Sequence, residues 1–107
     1  KDISSPVGKD IYAWLVYRNN GIEKPTFIPR EKIVEQFMPV NENLDKTGQM
    51  KAASNNYNKI IGLIKEIKQN YYQDLNIGLD DSGVTLYKSP TPILKDDTRY
   101  ALITSDI

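Results

Sequence analysis

Residues 49–72, "QMKAASNNYNKIIGLIKEIKQNYY", bring together side chains that can bind nucleic acid. An asparagine amide can pair with the edge of an adenine base, and a lysine ammonium group can bind a phosphate or a guanine. Residues 46–72 hold five lysines against one glutamate, whereas the whole chain has 14 basic and 14 acidic residues. A basic segment creates a local positive potential even on a molecule without net charge. This segment is therefore a candidate surface for an anionic partner.

The residue types that are missing exclude most catalytic chemistry. The chain has no histidine and no cysteine, which removes the serine–histidine–aspartate triad, imidazole acid–base catalysis, thiolate metal sites and disulfides. Carboxylates remain, but Asp80-Asp81 and Asp96-Asp97 are adjacent pairs in turns rather than the converging cluster that two-metal catalysis requires. We expect no enzymatic activity, no cofactor and no metal. Metal-dependent nicking of plasmid DNA would instead indicate a nuclease or primase fragment.

Length and composition predict one globular domain. A chain of 107 residues can bury a small core, and 39% hydrophobic with 26% charged residues is typical of soluble proteins. No apolar run approaches the ~20 residues of a membrane span and no signal peptide is visible, so we expect a cytoplasmic protein. The chain does not begin with methionine, which is compatible with a fragment of a longer protein. We expect a domain over residues 1–94 and a C-terminal tail or linker over residues 95–107.

The first part of the chain predicts two helices with a short strand between them. Ser5 can cap a helix over residues 5–20, with Pro6 in its first turn, and Gly21 offers a left-handed cap at its end. Residues 26–28 lie between two prolines and suit a very short edge strand. A second helix, "REKIVEQFM", can then begin after the second of these prolines and end at the next one.

The basic segment predicts a third and longer helix, from about residue 48 to about residue 72. An apolar stripe runs along it at alternating steps of three and four residues. Two strands, "LNIGL" and "GVTLYKS", follow with turn-forming residues 80–83 between them, and so predict a hairpin. Three helices with a small antiparallel sheet and a C-terminal hairpin wing make an α+β, winged-helix domain. This is a helix-turn-helix variant whose third helix usually enters the major groove of DNA. The stripe consists of Met50, Ala53, Tyr57, Ile60, Ile64, Ile67 and Tyr71.

The two halves of the third helix differ in composition, and we predict different roles for them. Additional isoleucine and leucine residues widen the stripe in the second half, as burial against two neighbours requires. In the first half the stripe is narrow, and asparagine, a poor helix former, faces outward. We therefore expect the second half to anchor the helix and the first half to read base edges. The candidate residues for this reading surface are Lys46, Gln49, Lys51, Ser54, Asn55, Asn58 and Lys59.

Basic residues on or near the first two helices are candidates for phosphate contacts, which set orientation without specifying sequence. The same pattern also fits a solvated surface, because this chain is rich in lysine and asparagine throughout. The stripe covers about three heptads, so the third helix could also form a dimer. The acidic turn should repel phosphate, and the alternative function is a winged-helix module for protein interaction or dimerisation. The candidates for phosphate contacts are Arg18, Lys24, Arg30 and Lys32.

Four blocks, "DIYAWLVYR", "KPTFI", "QF" and "LYKSPTP", resemble the plasmid-encoded RepA replication initiator family over roughly residues 8–94. The resemblance implies binding to double-stranded DNA at a plasmid origin and recruitment of host replication proteins, without enzymatic activity. The chain departs from the family in having Pro29 before the second helix and a longer connection after it. The matching residues are Asp10, Ile11, Tyr12, Trp14, Leu15, Tyr17, Arg18, Lys24, Pro25, Thr26, Ile28, Gln36, Phe37, Leu86, Ser89, Pro90 and Pro92.

Overall fold

The computed structural model of the chain describes residues 5–90 and Pro92. It contains three helices and a three-stranded antiparallel sheet, so the predicted α+β class is confirmed. The predicted tail, residues 95–107, lies outside the described residues. In chain order the elements are α1 Pro6–Gly21, β1 Thr26–Pro29, α2 Arg30–Phe37, α3 Lys46–Asn70, β2 Ile77–Asp80 and β3 Gly83–Leu86.

Helix α1 begins as the sequence predicts and ends differently. The Gly8 N–H donates to Ser5 Oγ at 3.2 Å, and Pro6 lies in the first turn, which confirms the predicted cap. The left-handed cap at Gly21 is wrong, because no glycine of the described residues has a positive φ. The chain leaves the helix at Ile22 with extended backbone, and that side chain packs against the core. Tertiary packing, rather than glycine geometry, therefore fixes the end of α1.

A buried amide joins the end of α1 to both strands of the hairpin. Asn19 Nδ2 donates to the Tyr87 carbonyl at 2.9 Å and lies 3.4 Å from the Asn76 carbonyl oxygen. The Ser89 N–H in turn donates to the Asn19 carbonyl at 3.2 Å. Among the described residues no donor reaches Asn19 Oδ1, which is buried. No local pattern in the sequence predicts this contact, because Asn19 and Tyr87 are 68 residues apart.

All three strands of the sheet end at the same level. The strand order is β1-β3-β2, so β1 is an edge strand as predicted. Pro29 at the end of β1 and Asp80 at the end of β2 both pair with Gly83. A Cβ atom on Gly83 would lie 2.6 Å from Phe27 Cζ and still closer to the Ile28 carbonyl oxygen, so this position requires glycine. The hairpin therefore turns without extending past β1.

Helix α3 lies against the other elements through its second half, and the predicted stripe is only partly buried. Its buried residues begin at Tyr57, whereas Met50 is 68% exposed, so the prediction that burial starts at Met50 is wrong. The reason is length, because α3 has 25 residues while α1 has 16 and α2 has 8. At 1.5 Å per residue, α3 is about 37 Å long, and the shorter helices cannot cover all of it. The core comprises Ile11, Tyr12, Leu15, Ile33, Val34, Tyr57, Ile60, Ile64, Ile67, Tyr72, Leu75, Val84 and Leu86.

Trp14 and Tyr17 of α1 lie in different environments. Trp14 is half-buried at the edge of the core, and its ring meets Phe37 of α2 edge-on at a centroid distance of 5.2 Å. Tyr17 is 82% exposed. Trp14 therefore packs, whereas Tyr17 keeps its hydroxyl in water.

Ile64→Ala should lower the free energy of unfolding by about 2–5 kcal/mol, because it leaves a cavity where a fully buried side chain packs. Chemical denaturation of both proteins measures the difference. Lys65→Ala is the matched control, since Lys65 is exposed on the same helix and should change the free energy by less than about 0.5 kcal/mol. A change of only a few tenths for Ile64→Ala would show that the stripe does not form the core.

Candidate nucleic-acid interface

The outer surface of α3 presents most of the predicted reading residues together. Lys51, Asn55 and Asn58 follow one another at steps of four and three residues and are all exposed. They lie opposite the buried residues Ile60 and Ile64, because the helix advances about 100° per residue. Lys46 and Lys59 are also exposed, and Ser54 is half-buried. We call the surface formed by Lys51, Ser54, Asn55, Asn58 and Lys59 the outer face. Lys46 is exposed but lies in line with the buried stripe rather than on this face.

The three asparagines of α3 have two different roles. Asn55 and Asn58 are exposed on the outer face, whereas Asn56 is half-buried. Asn56 Nδ2 donates to the carbonyl of Met38, the residue that ends α2, at 2.9 Å. Asn56 therefore fixes α3 against the end of α2. The sequence placed Asn55 and Asn58, but not Asn56, on the reading surface, and it did not predict the contact of Asn56 with the end of α2.

Gln49 contacts the connection between α2 and α3. Its Nε2 donates to the Leu44 carbonyl at 2.7 Å and to the Glu42 carbonyl at 3.2 Å. At the start of α3, Asp45 Oδ1 accepts from the Gly48 N–H at 2.7 Å and caps the helix. The predicted base contact of Gln49 would require its amide to leave these two carbonyls. The structure thus gives Gln49 an internal role within the connection.

Two residues outside the hairpin, Tyr57 and Arg30, donate hydrogen bonds to three successive backbone carbonyls of its turn. Tyr57 of α3 donates its hydroxyl to the Asp80 carbonyl at 2.6 Å. Arg30 of α2 donates from Nη1 to the Asp81 carbonyl at 2.7 Å and from its backbone N–H to the Ser82 carbonyl at 3.0 Å. The Arg30 guanidinium also lies 4.8 Å from the centre of the Tyr57 ring. Only the other guanidinium N–H groups of Arg30 are left for the predicted phosphate contact.

The turn itself carries negative charge. Asp80 Oδ1 accepts from the Ser82 hydroxyl at 2.6 Å, from the Ser82 N–H at 2.7 Å and from the Gly83 N–H at 3.2 Å. These bonds, that from the Ser82 hydroxyl above all, lower the pKa of Asp80 and keep its carboxylate ionised. Asp81 beside it is exposed. Two carboxylates at this end of the hairpin repel a phosphate backbone, as the sequence indicated.

The remaining candidates for phosphate contacts lie on elements other than α3. Arg18 is exposed on α1 with its guanidinium 5.9 Å from the centre of the Trp14 ring. Lys24 is exposed in the connection before β1, and Lys32 is exposed on α2. These three residues do not belong to the outer face of α3.

Gly62 continues the exposed side of α3 beyond the outer face. Apart from the neighbouring residues and the backbone of α3 itself, no heavy atom of the described residues lies within 4 Å of the position that a Cβ would occupy there. Packing within the described residues therefore does not require glycine at this position. The absent side chain lets another molecule approach the helix backbone closely.

The described residues contain neither a group that could hold a metal ion nor a helix that could span a membrane. Among residues 5–90 and Pro92, no group of three or more acidic residues could hold a metal ion. None of the helices in the described part combines the length and the apolar character that crossing a lipid bilayer requires. The chain matches no protein-family model, no curated protein and no solved structure. The geometry of this chain is therefore the basis for inferring its function.

Gly62→Ala should raise the free energy of unfolding by about 0.4–1 kcal/mol, because alanine reduces the freedom of the unfolded chain and its methyl group meets open space. Chemical denaturation checks this. Gly48→Ala is the matched control, since a Cβ there would lie 3.0 Å from Asp45 Oδ1 and should give a smaller gain or a loss. Equal gains at both positions would contradict the open surface at Gly62.

Tyr57→Phe should lower the free energy of unfolding at neutral pH by about 0.5–1.5 kcal/mol, because the Asp80 carbonyl loses its donor. Burial raises the pKa of Tyr57 from its ordinary value of 10.0. A raised pKa means that the associated stability is complete below about pH 10 and is lost as pH rises through the folded-state pKa.

Thermal unfolding at neutral and alkaline pH tests this prediction. The wild type should lose stability at alkaline pH, and Tyr57→Phe should lose less. Part of the alkaline loss should persist in the variant, because burial also raises the pKa of Tyr72. Tyr17→Phe is the control, since the exposed Tyr17 should affect neither measurement. Identical alkaline behaviour of wild type and Tyr57→Phe would contradict the role of the Tyr57 hydroxyl.

Proposed function

We propose that this chain is a winged-helix domain that binds double-stranded DNA sequence-specifically as part of a plasmid replication initiator. It acts in the cytoplasm at the origin of its own replicon and has no enzymatic activity. The observation that carries the proposal is the outer face of α3, where Lys51, Asn55 and Asn58 are exposed opposite a buried stripe. Amide and ammonium groups on one helical surface suit base edges and phosphates respectively.

The order of the elements supports the winged-helix assignment. Helix α2, its connection and α3 form the helix-turn-helix unit, and the β2–β3 hairpin is the short wing. The pairing of β1 with β3 places the first strand at one edge of this sheet. A fold hosts many functions, so the fold supports DNA binding only together with the chemistry of α3.

The dimensions of α3 suit the major groove. A helix with its side chains is about 10–12 Å across, and the major groove of B-form DNA is about 12 Å wide. The first turns of α3 extend beyond the residues that pack on the core, as the exposure of Met50 shows. These turns can therefore enter a groove without a collision with α1. In this arrangement Asn55 and Asn58 read bases, while Lys51 and Lys59 bind phosphates.

The short acidic wing makes this mode of binding depend on α3. The ends of β1 and β2 are level, so the wing does not project past the sheet, and Asp80 and Asp81 oppose phosphate. Phosphate contacts must come from lysine and arginine residues elsewhere, with Arg18, Lys24 and Lys32 as candidates. Such contacts fix orientation, and α3 alone supplies the sequence preference.

The resemblance to RepA initiators supports the same framework. Several of the resembling residues have structural roles, such as Leu15 and Leu86 in the core. Ser89 Oγ accepts from the Asn76 N–H at 2.8 Å, and the Pro90 carbonyl accepts from the Tyr72 hydroxyl at 2.7 Å. The resemblance thus favours a common fold and adds a plasmid origin and host replication proteins as partners. The resemblance does not identify the DNA contacts, which we assign to the outer face of α3.

A second candidate function is a protein-interaction or dimerisation module. The exposure of Met50 favours it, because an apolar side chain that extends past the core could join two copies of α3. A titration of DNA binding against salt separates the two functions, since only phosphate contacts release counterions.

Two substitutions on the outer face should have different effects on DNA binding. Asn55→Ala should cost about 1–3 kcal/mol on the preferred duplex and little on scrambled DNA, because only a base contact carries sequence information. Lys59→Ala should weaken binding to both duplexes and reduce the slope of log affinity against log salt by about one. Fluorescence anisotropy over a range of salt concentrations measures both effects.

Two matched variants control for general effects of substitution. Lys9→Ala removes an exposed lysine on α1, and Asn70→Ala removes an exposed asparagine about 22 Å along the helix from Asn55. Both should bind as the wild type does. Indistinguishable salt curves for all the proteins would show that the outer face does not contact DNA, and the interaction module would then be the better proposal.

A further inference from the structure

Met50 is an apolar side chain in an unexpected place. It is 68% exposed, although it continues the stripe that is buried from Tyr57 onward. Met50, Ser54 and Asn58 also follow one another at steps of four residues, so they form one ridge along α3. Met50 therefore borders the outer face on the side of Asn58. Within the described residues the core does not account for its position.

The surroundings of Met50 suit an anionic partner better than an apolar protein surface. Lys46 and Lys51 are exposed close to it in the sequence, and Thr47 is exposed as well. Residues 45–59 carry three lysines and one aspartate, which gives a net charge of +2. Protein-binding sites are marked by contiguous apolar patches, whereas the exposed large apolar residue nearest to Met50 in the sequence, Leu44, is six positions away.

The major-groove edge of an A·T pair offers hydrogen-bonding groups to an asparagine and a methyl group to a methionine. Adenine presents a donor and an acceptor that an asparagine amide can satisfy, and thymine presents its C5 methyl group for apolar contact. A methionine side chain is flexible and polarisable, so it adapts to a small apolar group. Side chains on a helix lean toward its N-terminus, and Met50 therefore extends the outer face in that direction.

We propose that Met50 contacts a thymine C5 methyl group in the major groove and so makes the target a site that contains A·T pairs. This inference rests on the proposed function, because it assumes that α3 enters the groove. It adds an apolar specificity-determining residue to the polar residues of the outer face. The competing occupant of Met50 is an apolar surface of another protein.

The test removes the methyl group from the DNA and leaves the protein unchanged. Selection from a random duplex library with the full chain gives its preferred site. That duplex is then made with deoxyuridine in place of each thymine in turn, which keeps base pairing and deletes one methyl group. Fluorescence anisotropy at fixed salt measures the affinity of the wild type, Met50→Ala and the control Tyr17→Ala, whose exposed side chain lies on α1.

At one thymine or more, deoxyuridine should weaken wild-type binding about fourfold, the effect of burying one methyl-sized group. Met50→Ala should bind the unmodified duplex about fourfold more weakly and show no further loss with deoxyuridine. Tyr17→Ala should retain the full sensitivity to deoxyuridine. These three results together would support a contact between Met50 and the methyl group.

The other outcomes distinguish the inference from the proposed function. A preferred duplex with no sensitivity to deoxyuridine, or equal sensitivity in Met50→Ala, overturns the methyl contact and leaves DNA binding intact. If wild-type binding is insensitive to deoxyuridine and Met50→Ala sediments as a smaller species than the wild type, Met50 makes a protein contact instead. Selection that enriches no duplex overturns both proposals. Insensitivity of the wild type to deoxyuridine overturns the methyl contact even if Met50→Ala affects folding, and Met50→Leu, which keeps an apolar side chain of similar size, then replaces Met50→Ala in the comparison.

Discussion

The burial of Ile60, Ile64 and Ile67 determines how α3 is rotated about its own axis. Each of these side chains is fully or almost fully buried in the core, where α3 packs against α1 and α2. Moving the helix by one residue in register would rotate it by about 100° and replace the outer face with a different set of side chains. The apolar contact in the second half of α3 thus decides which polar groups of the first half face outward.

Amide side chains perform the positioning that hydrophobic contact alone does not provide. Asn19 joins α1 to the hairpin, Gln49 holds the connection before α3, and Asn56 holds α3 to the end of α2. All three donate to backbone carbonyls of other elements or connections, and hydrogen bonds have strict geometry. Packing sets the rotation of α3, and these bonds set its position relative to α1 and α2.

The sequence predicts the elements well because they depend on local rules. The cap at Ser5, the stripe through Ile64 and the turn before Gly83 each follow from residues that are neighbours in the chain. Arg30 illustrates the limit, since its contact with the hairpin turn joins residues 51 positions apart. The exposure of Met50 depends on the relative lengths of three helices, which a pattern within one helix does not reveal. The outer face was predictable in composition, while the internal roles of Gln49 and Asn56 were not.

In the proposed mode of DNA binding, the level ends of the three strands limit how much sequence information one copy of this domain can read. A domain with a projecting wing can contact two grooves, whereas the proposed contact places a single helix against the bases. One recognition helix places three or four side chains on base edges and so distinguishes only a few base pairs. A bacterial genome or larger offers on the order of a million or more competing sites. If the proposed function holds, a unique target requires repetition, and we expect several copies of the domain to bind adjacent short sites.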